Sequence, residues 1–353
     1  MKKTILLLTI FCFIANVNAQ KKEFKCQDVY KAIKLMDEGK YDESIAMLKE
    51  CEKVDPKDYT YPYEIALAYT YKKEYQKAID QLEKIKKYES IAADYYQLLG
   101  NNYDYAGKPE KAMSVYDDGL KKFPNAGRLY LEKGVILEFQ EKYTEAIASY
   151  EKGVKVDPMY SSNYYRLALL YSKSTNKLAG LIYGEIFINL ERTTKRTSDM
   201  SKLLYETYKG AITIDGDKTG IEFCEILMDM NDINKKDITL PFCAVFGKNF
   251  ILSILDQKEV NLNSLSEMRI AFLKSYYTED FKKYPNVLLK YQKTILDNDI
   301  FEAYSKYIFQ VGAPNEFKEW KTNNKEKYDK FVEWYTNPEN SLKIDDQNVF
   351  IYK

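Results

Sequence analysis

The sequence predicts a mainly α-helical protein, with about five stacked helix pairs forming an α-α superhelix and then a helical C-terminal domain that includes a short β-hairpin. Three observations carry this reading. Small residues recur every 34 positions in two registers between Ala32 and Gly180. Pro56, Pro124 and Pro158 end short apolar-periodic segments in the same stretch, each behind a lysine-rich turn. Beyond about residue 195 the period is lost while helical spacing continues, and an Asp-Gly pair separates two runs of alternating apolar residues.

The chain begins MKKTILLLTIFCFIANVNAQ, with Lys2 and Lys3 ahead of an apolar run from Ile5 to Ala15 and then Val17-Asn18-Ala19. This is the pattern of a secretory signal peptide, residues 1–19, cut before Gln20. Cys12 lacks the small preceding residue of a lipidated cysteine, so no lipid anchor is expected. No later stretch reaches the roughly 18 apolar residues of a spanning helix, so no transmembrane segment is expected after signal removal. The expected location is the periplasm or cell envelope of a Gram-negative bacterium.

Without Lys2 and Lys3 the 53 basic residues fall to 51 against 53 acidic ones, a balance of −2. A nucleic-acid partner is not expected, because such binding needs concentrated positive charge. Histidine is absent, which removes the commonest general base and every Ser-His or Cys-His nucleophile. Four cysteines remain after the signal: Cys26, Cys51, Cys224 and Cys243. They permit the pairs Cys26 with Cys51 and Cys224 with Cys243, or serve as four small buried hydrophobes.

One small-residue register runs Ala32, Ala66, Gly100, Gly134 and Ala168, the other Ser44, Ala78, Ala112, Ala146 and Gly180. Small side chains let antiparallel helices approach closely, and large neighbours such as Leu35, Tyr69, Tyr103, Leu137 and Tyr171 fill the gaps. Repeats therefore fall at about 25–58, 59–92, 93–126, 127–160 and 161–194. In the fifth, the aromatic at the turn is missing, and Gly180 and Gly184 sit on the second helix.

EKYTEAIASYEKGVKVDP, Glu141 to Pro158, resembles the second helix of a tetratricopeptide repeat, with Tyr143 at the turn, Ala146 as the contact residue, Tyr150 one turn on and Pro158 at the end. LGNNY, Leu99 to Tyr103, is similar to the first-helix signature. The resemblance covers about half the chain and is to an exported bacterial type with a helical C-terminal region. It implies a binding scaffold with no cofactor and no catalytic residues, whose partner is a protein or peptide. First helices would line a concave face presenting Val29, Ile33, Tyr63, Tyr71, Gln97, Asn101, Asp104, Tyr105, Arg128, Leu131, Glu138, Phe139, Tyr165 and Lys173. Members that grip a terminal carboxylate use several inner lysines and asparagines. Only Asn101 and Arg128 fit that pattern here. Tyr41, Tyr75, Tyr143 and Tyr150 fall at packing positions.

The C-terminal half, 195–353, opens with TTKRTSD, Thr193 to Asp199, read as a polar connector. Helices are expected at about 200–210, 241–256, 264–277, 279–297, 299–311, 315–323 and 325–336. In ITIDGDKTG, Ile212 to Gly220, a phosphatase aspartate pair would need a parallel sheet that this region does not offer, and a calcium loop would need a glutamate where Ile226 stands. A hairpin fits better, since Ile212 and Ile214 alternate before Asp-Gly and Ile221 and Phe223 after it. The ending NVFIYK, Asn348 to Lys353, is a candidate strand beside it.

The expected function is an adaptor that binds a protein or peptide in a cell-envelope assembly. The alternative is an envelope glycan-binding protein, similar in tyrosine and tryptophan content to the lipoproteins of polysaccharide uptake but shorter and without a lipid cysteine. A carboxylate-dependent hydrolase ranks last, because no acidic pair sits in a recognisable context.

Overall fold

The computed structural model describes residues 23–86, 88, 91–215, 218–226 and 240–352. The expected signal peptide and the Gly216-Asp217 turn lie outside them. The described residues form 17 α-helices and one two-stranded hairpin. They divide into two compact units, one ending at Ile91 and the other starting at Ala92.

The first unit contains α1 (Asp28–Asp37), α2 (Tyr41–Val54), α3 (Thr60–Tyr71) and α4 (Tyr75–Ile85). Val29, Ala32 and Met36 form one helical stripe of α1 that clusters with Ile45 and Leu48 of α2 and Tyr61 of α3. Val29, expected on the inner face, is therefore wholly buried. The small registers meet where Ser44 Oγ donates to the Ala32 carbonyl at 2.7 Å. A disulfide joins Cys26 to Cys51, whose Cα atoms are 5.2 Å apart, and ties the chain ahead of α1 to α2.

The turns inside the first four pairs use one device. Gly39, Lys73, Gly107 and Glu141, each 34 residues after the last, have φ of 77°, 61°, 74° and 60°. Two backbone bonds close each turn, as where Glu141 N–H meets the Glu138 carbonyl at 3.0 Å and Lys142 N–H the Leu137 carbonyl at 2.9 Å.

The second unit starts with α5 (Ala93–Tyr105), α6 (Pro109–Lys122), α7 (Gly127–Phe139), α8 (Tyr143–Val156), α9 (Ser161–Tyr171) and α10 (Lys177–Leu190). A Cβ on Gly100 would lie 2.1 Å from the Tyr116 ring, and one on Gly134 2.3 Å from the Tyr150 ring. The second-helix tyrosines thus rest against bare backbone of the first helices. In the fifth pair every residue of α10 from Leu178 to Asn189 is buried. A helix apolar all round must be covered on all sides, and one core accordingly runs from Ala146 to Ile344. No break in packing falls at the expected 194/195 boundary. Gly184 is explained by this cover, since its Cβ would lie 2.7 Å from Leu204.

α11 (Lys195–Ala211) follows directly. TTKRTSD is its N-terminus rather than a connector, because Thr194 Oγ1 accepts from the Thr197 N–H at 3.3 Å and forms a capping box. The hairpin is present: β1 (Ile212–Asp215) and β2 (Lys218–Ile221) pair antiparallel with Ile212 opposite Ile221. Its exit is clamped by the Leu178 N–H, which donates to the Phe223 carbonyl at 2.8 Å. A disulfide then joins Cys224 to Cys243, with Cα atoms 6.4 Å apart.

The remaining helices are α12 (Phe242–Ile251), α13 (Leu262–Glu279), α14 (Val287–Asp297), α15 (Phe301–Ile308), α16 (Pro314–Asn323) and α17 (Lys325–Thr336). The helix expected over 279–297 starts only at Val287, because Pro285 interrupts it and Asn286 Oδ1 caps the Leu288 and Leu289 N–H groups at 3.0 and 3.1 Å. The tail is not a strand. Tyr352 N–H donates to Tyr183 Oη at 3.0 Å, and the Phe350 ring packs 5.4 Å from that of Tyr183 on α10.

A buried polar cluster fastens these helices to α10. Glu185 Oε1 accepts from Arg269 Nη2 at 2.5 Å, Gln292 Nε2 at 2.7 Å and Tyr304 Oη at 2.8 Å. Asn189 Nδ2 donates to the same Tyr304 hydroxyl at 2.8 Å, and Tyr335 Oη donates to Asn189 Oδ1 at 3.1 Å. Among the described residues no helix is long and apolar enough to cross a membrane.

Candidate functional site

In the second unit the first helices form a layer, α5 on α7 and α7 on α9, and its exposed face is the candidate site. Gln97 Nε2 donates to Glu132 Oε1 at 2.7 Å, and Tyr116 Oη donates to Asn101 Oδ1 at 2.5 Å. Burial pushes the Glu132 carboxyl above the ordinary glutamate range, against hydrogen bonds from Gln97 and Asn101 that lower it. Burial likewise raises Asp104. One repeat on, Arg166 Nη2 donates to Glu138 Oε2 at 2.6 Å, and Tyr150 Oη donates to the same oxygen at 2.9 Å.

This arrangement follows from the bare Gly100 and Gly134. Each lets a tyrosine from the helix behind pass its hydroxyl through to the inner layer, where it fixes Asn101 or Glu138. The polar side chains of the face are thereby held by one another, and the surface they make is rigid and mixed in charge. Beside it Tyr165 packs against Phe187 at 5.0 Å, with the Arg196 guanidinium 5.1 Å from the Tyr165 ring. Tyr165 is thus a packing residue of the face rather than a projecting one. Burial raises the Asp157 carboxyl, against the Gly127 backbone hydrogen bond and the Arg128 charge, which lower it, and Leu131 packs against the core.

Of the expected residues, Tyr71, Tyr105, Phe139 and Lys173 are exposed. Tyr105 is 54% exposed at the end of α5 and Phe139 82% exposed at the end of α7. Phe139, Glu138 and Lys173 also line a cavity of about 440 Å³ together with Tyr143, Ile147, Arg166, Leu170 and Ser174. Tyr143, expected to pack, is 51% exposed there. Tyr63 and Tyr71 belong to the first unit, where Tyr63 is half-buried and Tyr71, 54% exposed, stacks on Tyr41 with ring centroids 5.8 Å apart.

Sequence reasoning missed Glu132 and Arg166. They share a register with Leu98, which is buried. Opposite charges 34 residues apart at a leucine position were the available signal. Among the described residues no group of three or more acidic or cysteine side chains gathers to hold a metal ion.

The sequence profile of the tetratricopeptide repeat matches residues 31–90 and 98–171. No curated protein matches the chain. Many solved structures are similar at low identity, three of them as follows. MamA 41-end from Desulfovibrio magneticus RS-1 is 18% identical, over 47% of this chain and 94% of that one, at a TM-score of 0.38. The protein TTC0263 of Thermus thermophilus is 18% identical, over 50% and 96%, at 0.42. The type IV pilus biogenesis factor PilW is 18% identical, over 52% and 83%, at 0.43. Likeness at that level says nothing of what this chain binds.

Proposed function

For a chain that is a tetratricopeptide-repeat protein through residues 31–90 and 98–171, we propose the role of an exported scaffold that binds a protein or peptide on the α5–α7–α9 face, as an adaptor in a cell-envelope assembly. One observation carries this reading. Tyr105 and Phe139, one repeat apart at the ends of neighbouring helices, are 54% and 82% exposed on the layer whose side chains Asn101 and Glu138 are braced by Tyr116 and Tyr150. Rigid exposed aromatics on a preorganised polar layer are the anchors that protein interfaces bury. Export rests on the charged, apolar and small segments of residues 1–19.

The test is photo-crosslinking in the organism's envelope fraction, with a photoreactive residue at Phe139 or, as control, at exposed Lys152 on α8. A discrete protein adduct at Phe139, absent at Lys152 and lost on Tyr105→Ala, supports the reading. Equal adducts at both positions, or none at Phe139, overturn it. Phe139 is 82% exposed, so a replacement there should leave the melting temperature unchanged.

A further inference from the structure

The cavity beside Phe139 is a slot that the repeat fills with its own aromatic ring elsewhere. In the first unit Tyr41, at the start of α2, stacks on Tyr71, at the end of α3, with centroids 5.8 Å apart and planes at 29°. Adding 102 residues, three repeats of 34, turns this pair into Tyr143 and Lys173. The first ring is kept and the second has become a lysine. Tyr143 is consequently left 51% exposed, and the space beside it is the 440 Å³ cavity walled by Phe139, Ile147 and Leu170. A volume of that order takes one large side chain with its neighbouring backbone.

The charges at the rim restrict what enters. Glu138 is already engaged by Arg166 and Tyr150. Lys173 is exposed, and among the described residues no carboxylate pairs with it. Building on the peptide-binding reading above, we infer that this cavity takes an aromatic side chain of a partner's extended segment, stacked on Tyr143 as Tyr71 stacks on Tyr41, with an acidic residue next to it on Lys173. An aromatic ring supplies the large apolar contact, and the acid supplies complementarity of charge.

The fold itself supplies the blocking variant. Lys173→Tyr restores the pair found in the first unit and should close the slot from within while the melting temperature holds or rises. The probe is a random dodecapeptide display library selected on the mature chain, residues 20–353, with the leading peptide resynthesised for calorimetry. Expected are an aromatic flanked by Asp or Glu among the winners, at least tenfold weaker binding of that peptide to Lys173→Tyr and to Phe139→Ala, and a switch to Lys or Arg flanks when Lys173→Glu is the target. Phe139→Ala keeps the test decisive if Lys173→Tyr folds poorly, since an 82% exposed ring supports little of the core. Winners without an aromatic, or equal binding by both variants, overturn the slot and leave peptide binding standing. No enrichment at all overturns both.

Discussion

Replacing Arg269 by methionine should cost about 3–5 kcal/mol, because it strips the cation from a carboxylate with no route to water. Glu185 and Arg269 are each 2% exposed, and the guanidinium also donates to Ser305 Oγ at 3.0 Å while lying 5.0 Å from the Phe309 ring. After the substitution Glu185 keeps Gln292 and Tyr304 as donors. These bonds to the carboxylate, at about 1.5–3 kcal/mol each, are already made in the parent and so do not replace the lost cation. Adding Glu185→Leu removes that charge and leaves Ser305, Gln292 and Tyr304 short of partners, so the double variant should fall between Arg269→Met and the parent. The assay is urea unfolding at pH 7 followed by intrinsic fluorescence. Both tryptophans of the chain, Trp320 and Trp334, lie on α16 and α17 and report on this core. A loss below about 1 kcal/mol for the single variant, or a double variant as unstable as the two singles summed, would refute the account of how the C-terminal helices are held.

Two further outcomes follow from the repeat layer. Burial raises the folded carboxyl of Glu132, so the folded state binds more protons than the unfolded one from the ordinary glutamate range upward. Its contribution to stability therefore falls as pH rises through that window and is regained on acidification. Glu132→Gln should flatten the slope there; an unchanged pH–stability profile would contradict it. In the turns, Glu141→Gly should stabilise by about 0.5–1 kcal/mol and Gly107→Ala should destabilise by a similar amount, because φ is 60° at Glu141 and 74° at Gly107. Opposite shifts in melting temperature check this, and shifts of the same sign would rule it out.

The helix pairs were legible because what repeats in them is the absence of a side chain. Ala32 must be small wherever Ser44 crosses, and Gly100 and Gly134 must be bare wherever a tyrosine lies on the backbone, so packing writes itself into spacing. The Glu185 cluster left no such trace. Its members are 84, 107 and 119 residues from Glu185, and nothing periodic announces partners that distant. The helix start at Val287 was readable from Pro285-Asn286 and was missed because apolar spacing runs on through it. The start of α11 was hidden likewise, since a polar run with two threonines reads as a loop until one of them is seen to cap.

The candidate site lies between these cases. Composition marked its tyrosines without separating rings that pack from rings that project. Tyr150 and Tyr143 stand on one helix two turns apart, yet one is fully buried and the other half exposed. What separates them is the residue each ring meets. Tyr150 lies on Gly134, whereas Tyr143 faces the register that carries Tyr71 in the first unit and Lys173 here. For Tyr143 the deciding residue stands 30 positions on, in the next repeat, as Tyr71 does for Tyr41. Function on this layer should then arise where one repeat fails to supply what its neighbour was shaped to receive, and the register Tyr71, Tyr105, Phe139, Lys173 breaks from aromatic to cationic at that point.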